Sequence, residues 1–276
     1  MDLSKVRMVV TDMDGTLLNT NHEVSSKFFT LFQQLKEKDI IFVAASGRQY
    51  NSIVEKLDAI KDDIIVVAEN GAYIRKQQKE MLATPLENGT IKEVLDILKD
   101  TSGIHTVLCG KENAYIDGES ELFRTKLKEY YSEFSIIDDL STFKGEILKI
   151  ALYHSVNSEK HIYPLVKHLE SKLKVKVSGE NWLDLSNMNA HKGYALEQLQ
   201  RKYGISKEET MVFGDYNNDL EMLTMGHFSF AMANAHPNVI ETANFMTSSN
   251  DDFGVERVLE QLVLSKTKNA SYTNTP

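Results

Sequence analysis

The strongest constraint on the fold is a set of continuous apolar runs, "VRMVVTD" at 6–12, "IIFVAAS" at 40–46 and "DIIVVAEN" at 63–70. Strands that are apolar throughout, rather than alternately, are covered on both faces, which is the mark of a parallel sheet sandwiched by helices. The stretch 25–38 between the first two runs carries Phe28, Phe29, Phe32 and Leu35 at helical spacing, and a second helix is expected from 49 to about 60. After Asn70-Gly71 the pattern changes. "AYIRKQQKEMLATPL" reads as a hairpin closed by Pro85. Helices are expected at 90–99, 119–131 and 159–172, and strands at "HTVLC", "AYID", "ILKIALYH", "VKVSG" and "WLDLS". More alternating strands and shorter connections describe an α+β module. From 190 the first pattern resumes, with a helix at 192–203, the buried strand "TMVFGD", a helix at 218–225, the strands "FSFAM" and "NFMTS", and a terminal helix. The polar tail 265–276 is expected to fray. The expected class is α/β, a parallel-sheet core from 1–84 and 189–276 interrupted by an inserted domain at 85–188.

Open parallel sheets bind ligands beyond the carboxyl ends of their strands. Here those ends carry Asp12, Ser46 and Asp215, and Lys192 opens the helix after the insertion. Asp12 and Asp14 stand two apart, so in extended chain their carboxyls point the same way and repel. A divalent cation held by oxygen ligands, or a proton kept on Asp14, relieves that repulsion, and both are useful in catalysis. A solvated Asp-Gly turn is the plain alternative. "FGDYNNDL" adds Asp215, Asn218 and Asp219, although alone it is equally an Asx turn and a helix cap. Ser46 and Gly47 in "AASGR" offer a hydroxyl and backbone N–H groups suited to phosphoryl oxygens.

Charge and composition narrow the partners. With 31 basic against 40 acidic residues the net charge is −9, which argues against a general nucleic-acid binder but not against an anionic small substrate met by a metal. No run approaches the ~18 apolar residues of a membrane span. The start "MDLSKVRMVV" lacks signal-peptide architecture. A lone cysteine, Cys109, excludes an intrachain disulfide, so the glycosylation matches at Asn88 and Asn269 are read as chance and the cytoplasm as the compartment. Oligomeric state is not legible.

In order, "DMDGT", "SGR", "HKG" and "GDYNND" resemble the four motifs of the haloacid dehalogenase (HAD) phosphatase superfamily. The insertion and "ENGA" at 69–72 resemble its Cof-type subgroup with a type IIB cap on a Rossmann-like core. That resemblance implies an Mg²⁺-dependent phosphomonoesterase acting on small phosphorylated metabolites, sugar phosphates above all, through an aspartyl-phosphate. It implies Asp12 as nucleophile and metal ligand, and Asp14 as general acid/base lending its carbonyl to the metal. Asp215 is implied as a metal ligand, while Asp219 orients either the metal or the lysine. Ser46, Gly47, Lys192 and Asn218 are implied to hold the phosphoryl group, with Arg48 and Asn70 within reach of substrate and Thr16 orienting the loop. The acid at Asp14 favours phosphoester cleavage over dehalogenation, because an alkoxide leaving group needs a proton. The loop "SNMNAH" before Lys192 departs from the usual linker, so substrate identity is not carried over. A phosphate-binding regulatory protein on the same fold is the alternative.

Overall fold

A computed structural model describes residues 2–118, 120–128, 131 and 133–272. The chain divides into two compact units. One comprises the chain up to Arg48, Ile53–Met81 and everything from His191 on, and the other comprises Gln49–Ser52 and Leu82–Ala190.

In chain order, β1 (Met8–Asp12) leads to α1 (Ser26–Lys36), β2 (Ile41–Ala45), α2 (Tyr50–Lys56) and β3 (Ile65–Ala68), followed by the hairpin β4 (Tyr73–Lys76) and β5 (Lys79–Ala83). The inserted segment holds α3 (Asn88–Leu98), β6 (Ile104–Gly110), β7 (Ala114–Asp117), α4 (Glu121–Leu127), β8 (Phe134–Ile137) and β9 (Ile147–His154). It ends with α5 (Ser158–His161), α6 (Tyr163–Val166), β10 (Leu173–Val177) and β11 (Trp182–Asn187). The chain then returns through α7 (Lys192–Tyr203), β12 (Thr210–Gly214), α8 (Leu220–Leu223), β13 (Phe228–Ala231), α9 (Pro237–Thr242), β14 (Phe245–Met246) and α10 (Gly254–Tyr272).

The first unit is built on a sheet of order β14-β13-β12-β1-β2-β3-β4-β5. Pairing is parallel from β14 to β3 and turns antiparallel at β4. Every residue of β1, β3, β12 and β13 is buried, as the continuous apolar runs require. The phenylalanine stripe is core packing: Ser25 caps α1, and Phe28 and Phe32 meet Phe42 of β2 at ring separations of 5.2 and 5.7 Å. Each such ring removed from water contributes roughly 2–3 kcal/mol. β1 lies centrally, with β2 on one side and β12 on the other, so the chain leaves it in opposite directions. That divergence opens a crevice at the strand ends where Asp12, Ser46 and Asp215 sit.

The second unit is a sheet of order β10-β11-β9-β6-β7-β8, antiparallel except for the β7–β8 pair. Leu108, Ile150, Leu152, Leu183 and Leu185 pack beneath α3 and α6 on one face. Val107, Cys109, Ala151 and Trp182 meet Phe123 of α4 on the other. Four readings need correcting. The short edge strand β8 escapes the pattern because only four residues pair, and along one side alone. The helix expected at 159–172 is broken into α5, α6 and a 3₁₀ turn, since Pro164 starts a new helix rather than continuing one. The helix expected at 119–131 covers only Glu121–Leu127 behind a Ser120 cap, and Glu119, Glu129 and Tyr130 lie outside the described residues. At the other end of the chain, 265–272 continue α10 instead of fraying. Residues 273–276 lie outside the described set. Among the described residues no helix is long and apolar enough to cross a membrane.

Candidate active site

The four acidic side chains at the strand ends resolve into two groups, each built around its own cation. The first is Asp12, Asp215 and Asp219 with Lys192. Asp12 is 5% exposed, Lys192 1% and Asp219 not at all. Lys192 Nζ donates to Asp12 Oδ1 and, at 2.6 Å, to Asp219 Oδ1. The other oxygen of Asp219 accepts the backbone N–H groups of Asp215 (3.0 Å) and Tyr216 (3.3 Å). Asp219 therefore clamps the lysine with one oxygen and the β12 loop with the other. Asp215 accepts from the Thr16 hydroxyl at 3.1 Å. One oxygen from each of Asp12, Asp215 and Asp219 lies within 4.8 Å of the others, a spacing at which they could hold a metal ion.

Three carboxylates against one ammonium leave two negative charges in a largely buried place. Burial, and then the charges of Asp219 and Asp215, push the Asp12 carboxyl well above its ordinary value despite Lys192. Burial and the Asp219 charge push Asp215 up to about 6. Burial pulls Lys192 down, but Asp12 and Asp219 overrule it and hold its proton more tightly than usual.

The second group is Asp14 with Arg48. Nε donates to Oδ2 at 2.7 Å and Nη2 to Oδ1 at 2.6 Å, a bidentate fork. His22 Nδ1 stands 3.3 Å from the same Oδ1. Partial burial lifts the Asp14 carboxyl, yet Arg48 and His22 outweigh it and the group sits below its ordinary value. The sequence leads one to expect a single shared cation or a proton on Asp14. In the structure each acid has a basic partner, Lys192 for Asp12 and Arg48 for Asp14.

Local backbone makes this possible. Gly15 has φ +76, and a Cβ there would collide with the Asp215 carboxylate. Its carbonyl accepts from Asn234 Nδ2 at 2.8 Å. Gly15→Ala is expected to cost ~1–3 kcal/mol, the range for a strained backbone position. An unchanged chemical-denaturation midpoint would show that the loop tolerates the Cβ. Opposite, Ser46 is buried and its hydroxyl accepts the Arg48 N–H at 3.1 Å. Asn218 Nδ2 donates to Asn70 Oδ1 at 3.0 Å, beside Gly47. His191 is a helix cap: its ring nitrogen accepts the Tyr194 N–H at 3.1 Å, starting α7 so that Lys192 is its first residue. Thr16 and Ser46 thus touch the two groups through Asp215 and Arg48, while Gly47 and Asn218 lie against Asn70.

The family model for haloacid dehalogenase-like hydrolases matches residues 9–259. The chain belongs to that family. It is a haloacid dehalogenase-like hydrolase of the phosphatase type. A similar protein is the 5-amino-6-(5-phospho-D-ribitylamino)uracil phosphatase YbjI of Escherichia coli K12, 30% identical over 94% of this chain and 96% of its own. The crystal structure of TM0651 from Thermotoga maritima superposes with a TM-score of 0.86 at 28% identity, covering 93% of this chain and 97% of that one. The subclass IIB sugar phosphatase BT4131 shares the fold, cap included, with a TM-score of 0.78 at 19% identity over 93% and 98% of the two chains. In this haloacid dehalogenase-like hydrolase, sequence reasoning missed His22 and Asn234. His22 stands beside Asp14 and Asn234 holds the Gly15 carbonyl, and only the left-handed φ of +58 at His22 marks its turn as special.

Proposed function

We propose that the protein hydrolyses phosphomonoesters of small metabolites, sugar phosphates in particular, with Asp12 as nucleophile. The observation that carries this reading is the Asp12–Lys192–Asp219 chain, which fixes one carboxylate at the mouth of the central strand with one oxygen tied down. The relative that acts on a phosphorylated ribityl chain is in keeping with a polyol or sugar substrate. We place the protein in the cytoplasm.

In this scheme Asp12 attacks phosphorus in line and forms an aspartyl-phosphate. Lys192, the Ser46 hydroxyl, the Gly47 N–H and the Asn218 amide take the phosphoryl oxygens. Asp14 protonates the leaving alcohol and then takes the proton of the attacking water. The Arg48 fork holds Asp14 anionic at rest, so it must loosen before Asp14 carries a proton. Arg48 is then available to the substrate.

The donor set suits Mg²⁺. It is all oxygen, and two negative charges in excess of Lys192 match a divalent cation. Asp12 and Asp215 would hold it with the Asp14 carbonyl, while Asp219, whose oxygens are both engaged, would act by fixing Lys192 and the Asp215 backbone. Bound there, the ion supplies charge neutralisation for the phosphoryl oxygens.

A pH-dependent thermal shift tests the ion. With the Asp215 carboxyl raised from 3.8 to about 6, the folded protein binds that proton more tightly than the unfolded chain. Its contribution to stability is present below about pH 4 and is lost as pH rises through about 6. Mg²⁺ competes with that proton, so it should raise the melting temperature more at pH 7.5 than at pH 5. Equal shifts, or none, would count against the site. The activity itself is tested by a panel of sugar, polyol and nucleoside phosphates assayed for phosphate release with and without Mg²⁺. Binding without turnover of any member would favour a regulatory protein.

A further inference from the structure

Besides Gly15 in the aspartate loop, the core unit bends into the left-handed region after β3. Glu69, Asn70 and Gly71 have φ values of +49, +55 and +103, three consecutive left-handed residues. Two of them are not glycine, and such a run persists only where its surroundings hold it in place. The Glu69 N–H donates to the Arg48 carbonyl at 3.0 Å, and the Asn70 N–H to the Ser46 carbonyl at 2.9 Å. Gly71 lies so close to the His191 carbonyl that a Cβ would collide with it, and such a Cβ would stand 2.9 Å from the Lys192 nitrogen. The Asn70 amide oxygen accepts from Asn218. Three residues thus touch the Ser46–Arg48 loop, the start of α7 and the β12 loop.

Gly47 makes room for the same amide. A Cβ on Gly47 would stand 3.1 Å from both Asn70 Nδ2 and Oδ1. An amide that accepts from Asn218 must present its N–H groups elsewhere, and the oxygen's bond therefore fixes both amides in rotation. Left to itself, the Asn218 side chain can turn about its own bonds and present either end of the amide to an anion.

We propose that Asn70 is a positioning residue for the phosphoryl pocket: its amide oxygen locks the Asn218 amide in the rotation that offers an N–H to phosphate. This rests on the phosphatase reading above, which assigns Asn218 to the phosphoryl oxygens. The left-handed turn is where that amide meets Asn218. Asn70 thereby differs from a solvated turn asparagine, whose side chain serves only its own backbone.

The test uses Asn70→Gly, which keeps the left-handed backbone at no steric cost while deleting the amide. Asn218→Ala and the double variant complete a cycle, with melting temperatures as a check on folding. Inorganic phosphate binding in Mg²⁺ is measured by calorimetry, and ester turnover alongside it. Asn70→Gly should weaken phosphate about tenfold, or ~1.4 kcal/mol. In the double variant the loss should not exceed that of Asn218→Ala alone, because an unoriented and an absent amide are equivalent. Wild-type affinity in Asn70→Gly, or two losses that multiply, would overturn the proposal. Rejection of phosphate and of every ester by the wild-type protein would overturn the phosphatase reading and this proposal together. Wild-type turnover with an unaffected Asn70→Gly would overturn this proposal alone.

Discussion

Asp12→Asn should bring phosphate release to the background of the assay, a loss of at least ~10³-fold, since it removes the attacking oxygen and not merely a contact. The substitution is nearly isosteric, and the amide oxygen it introduces can still accept from Lys192, so the fold should survive. Removing one of three crowded carboxylates also relieves repulsion with Asp215 and Asp219, which raise the Asp12 carboxyl in the wild type. The variant should therefore unfold no earlier than the wild type in metal-free buffer, and this separates loss of chemistry from loss of structure. Retention of most Mg²⁺-dependent activity by purified Asp12→Asn would falsify the nucleophile assignment.

Lys192→Met should fail on both counts. The methionine fills similar space, but the Asp12 and Asp219 oxygens now accepting from Nζ lose their shared donor in a site where neither is solvated. Breaking a buried pair from one side typically costs ~3–5 kcal/mol, because a charge is left uncompensated. The denaturation midpoint in metal-free buffer should fall accordingly, and Mg²⁺ should recover part of the loss by replacing the missing positive charge. Turnover should fall ~10²-fold or more, as for a lost charged donor to the transferring group. An unchanged midpoint would mean that water or protons already compensate the carboxylates, and the account of the Lys192 site would have to be abandoned.

The sequence shows the strand ends plainly because burial on two faces forces uninterrupted apolar runs, and an aspartate closing such a run is conspicuous. Lys192 is legible for a related reason, as a cation where the helix dipole disfavours one. What the sequence conceals is pairing. Nothing in "DMDG" or "SGR" says that Asp14 meets Arg48, 34 residues on. Nothing in "HKG" marks His191 as the cap of α7. Asn70 and Asn218 look like two unrelated turn residues because 148 positions separate them. In the inserted unit the losses are local: β8 is too short to show a period, and Pro164 divides a helix that periodicity alone would carry across.

The pairing of β1 with β12 has a bearing on how the chain is made. Met8 lies beside Thr210, so one edge of the central strand waits for a partner about two hundred residues later. During synthesis the first βα segments emerge with the N–H and C=O groups of that edge unpaired, and the Asp12–Lys192–Asp219 clamp is incomplete until Asp219 has left the ribosome. Closing so long a loop is less costly than its length suggests, since each doubling adds only ~0.6 kcal/mol. If the intervening unit condenses first on its own core, the distance to be closed shrinks further. Maturation of the core is thus gated by translation of its last third, and the growing chain depends until then on whatever shields the exposed side of β1.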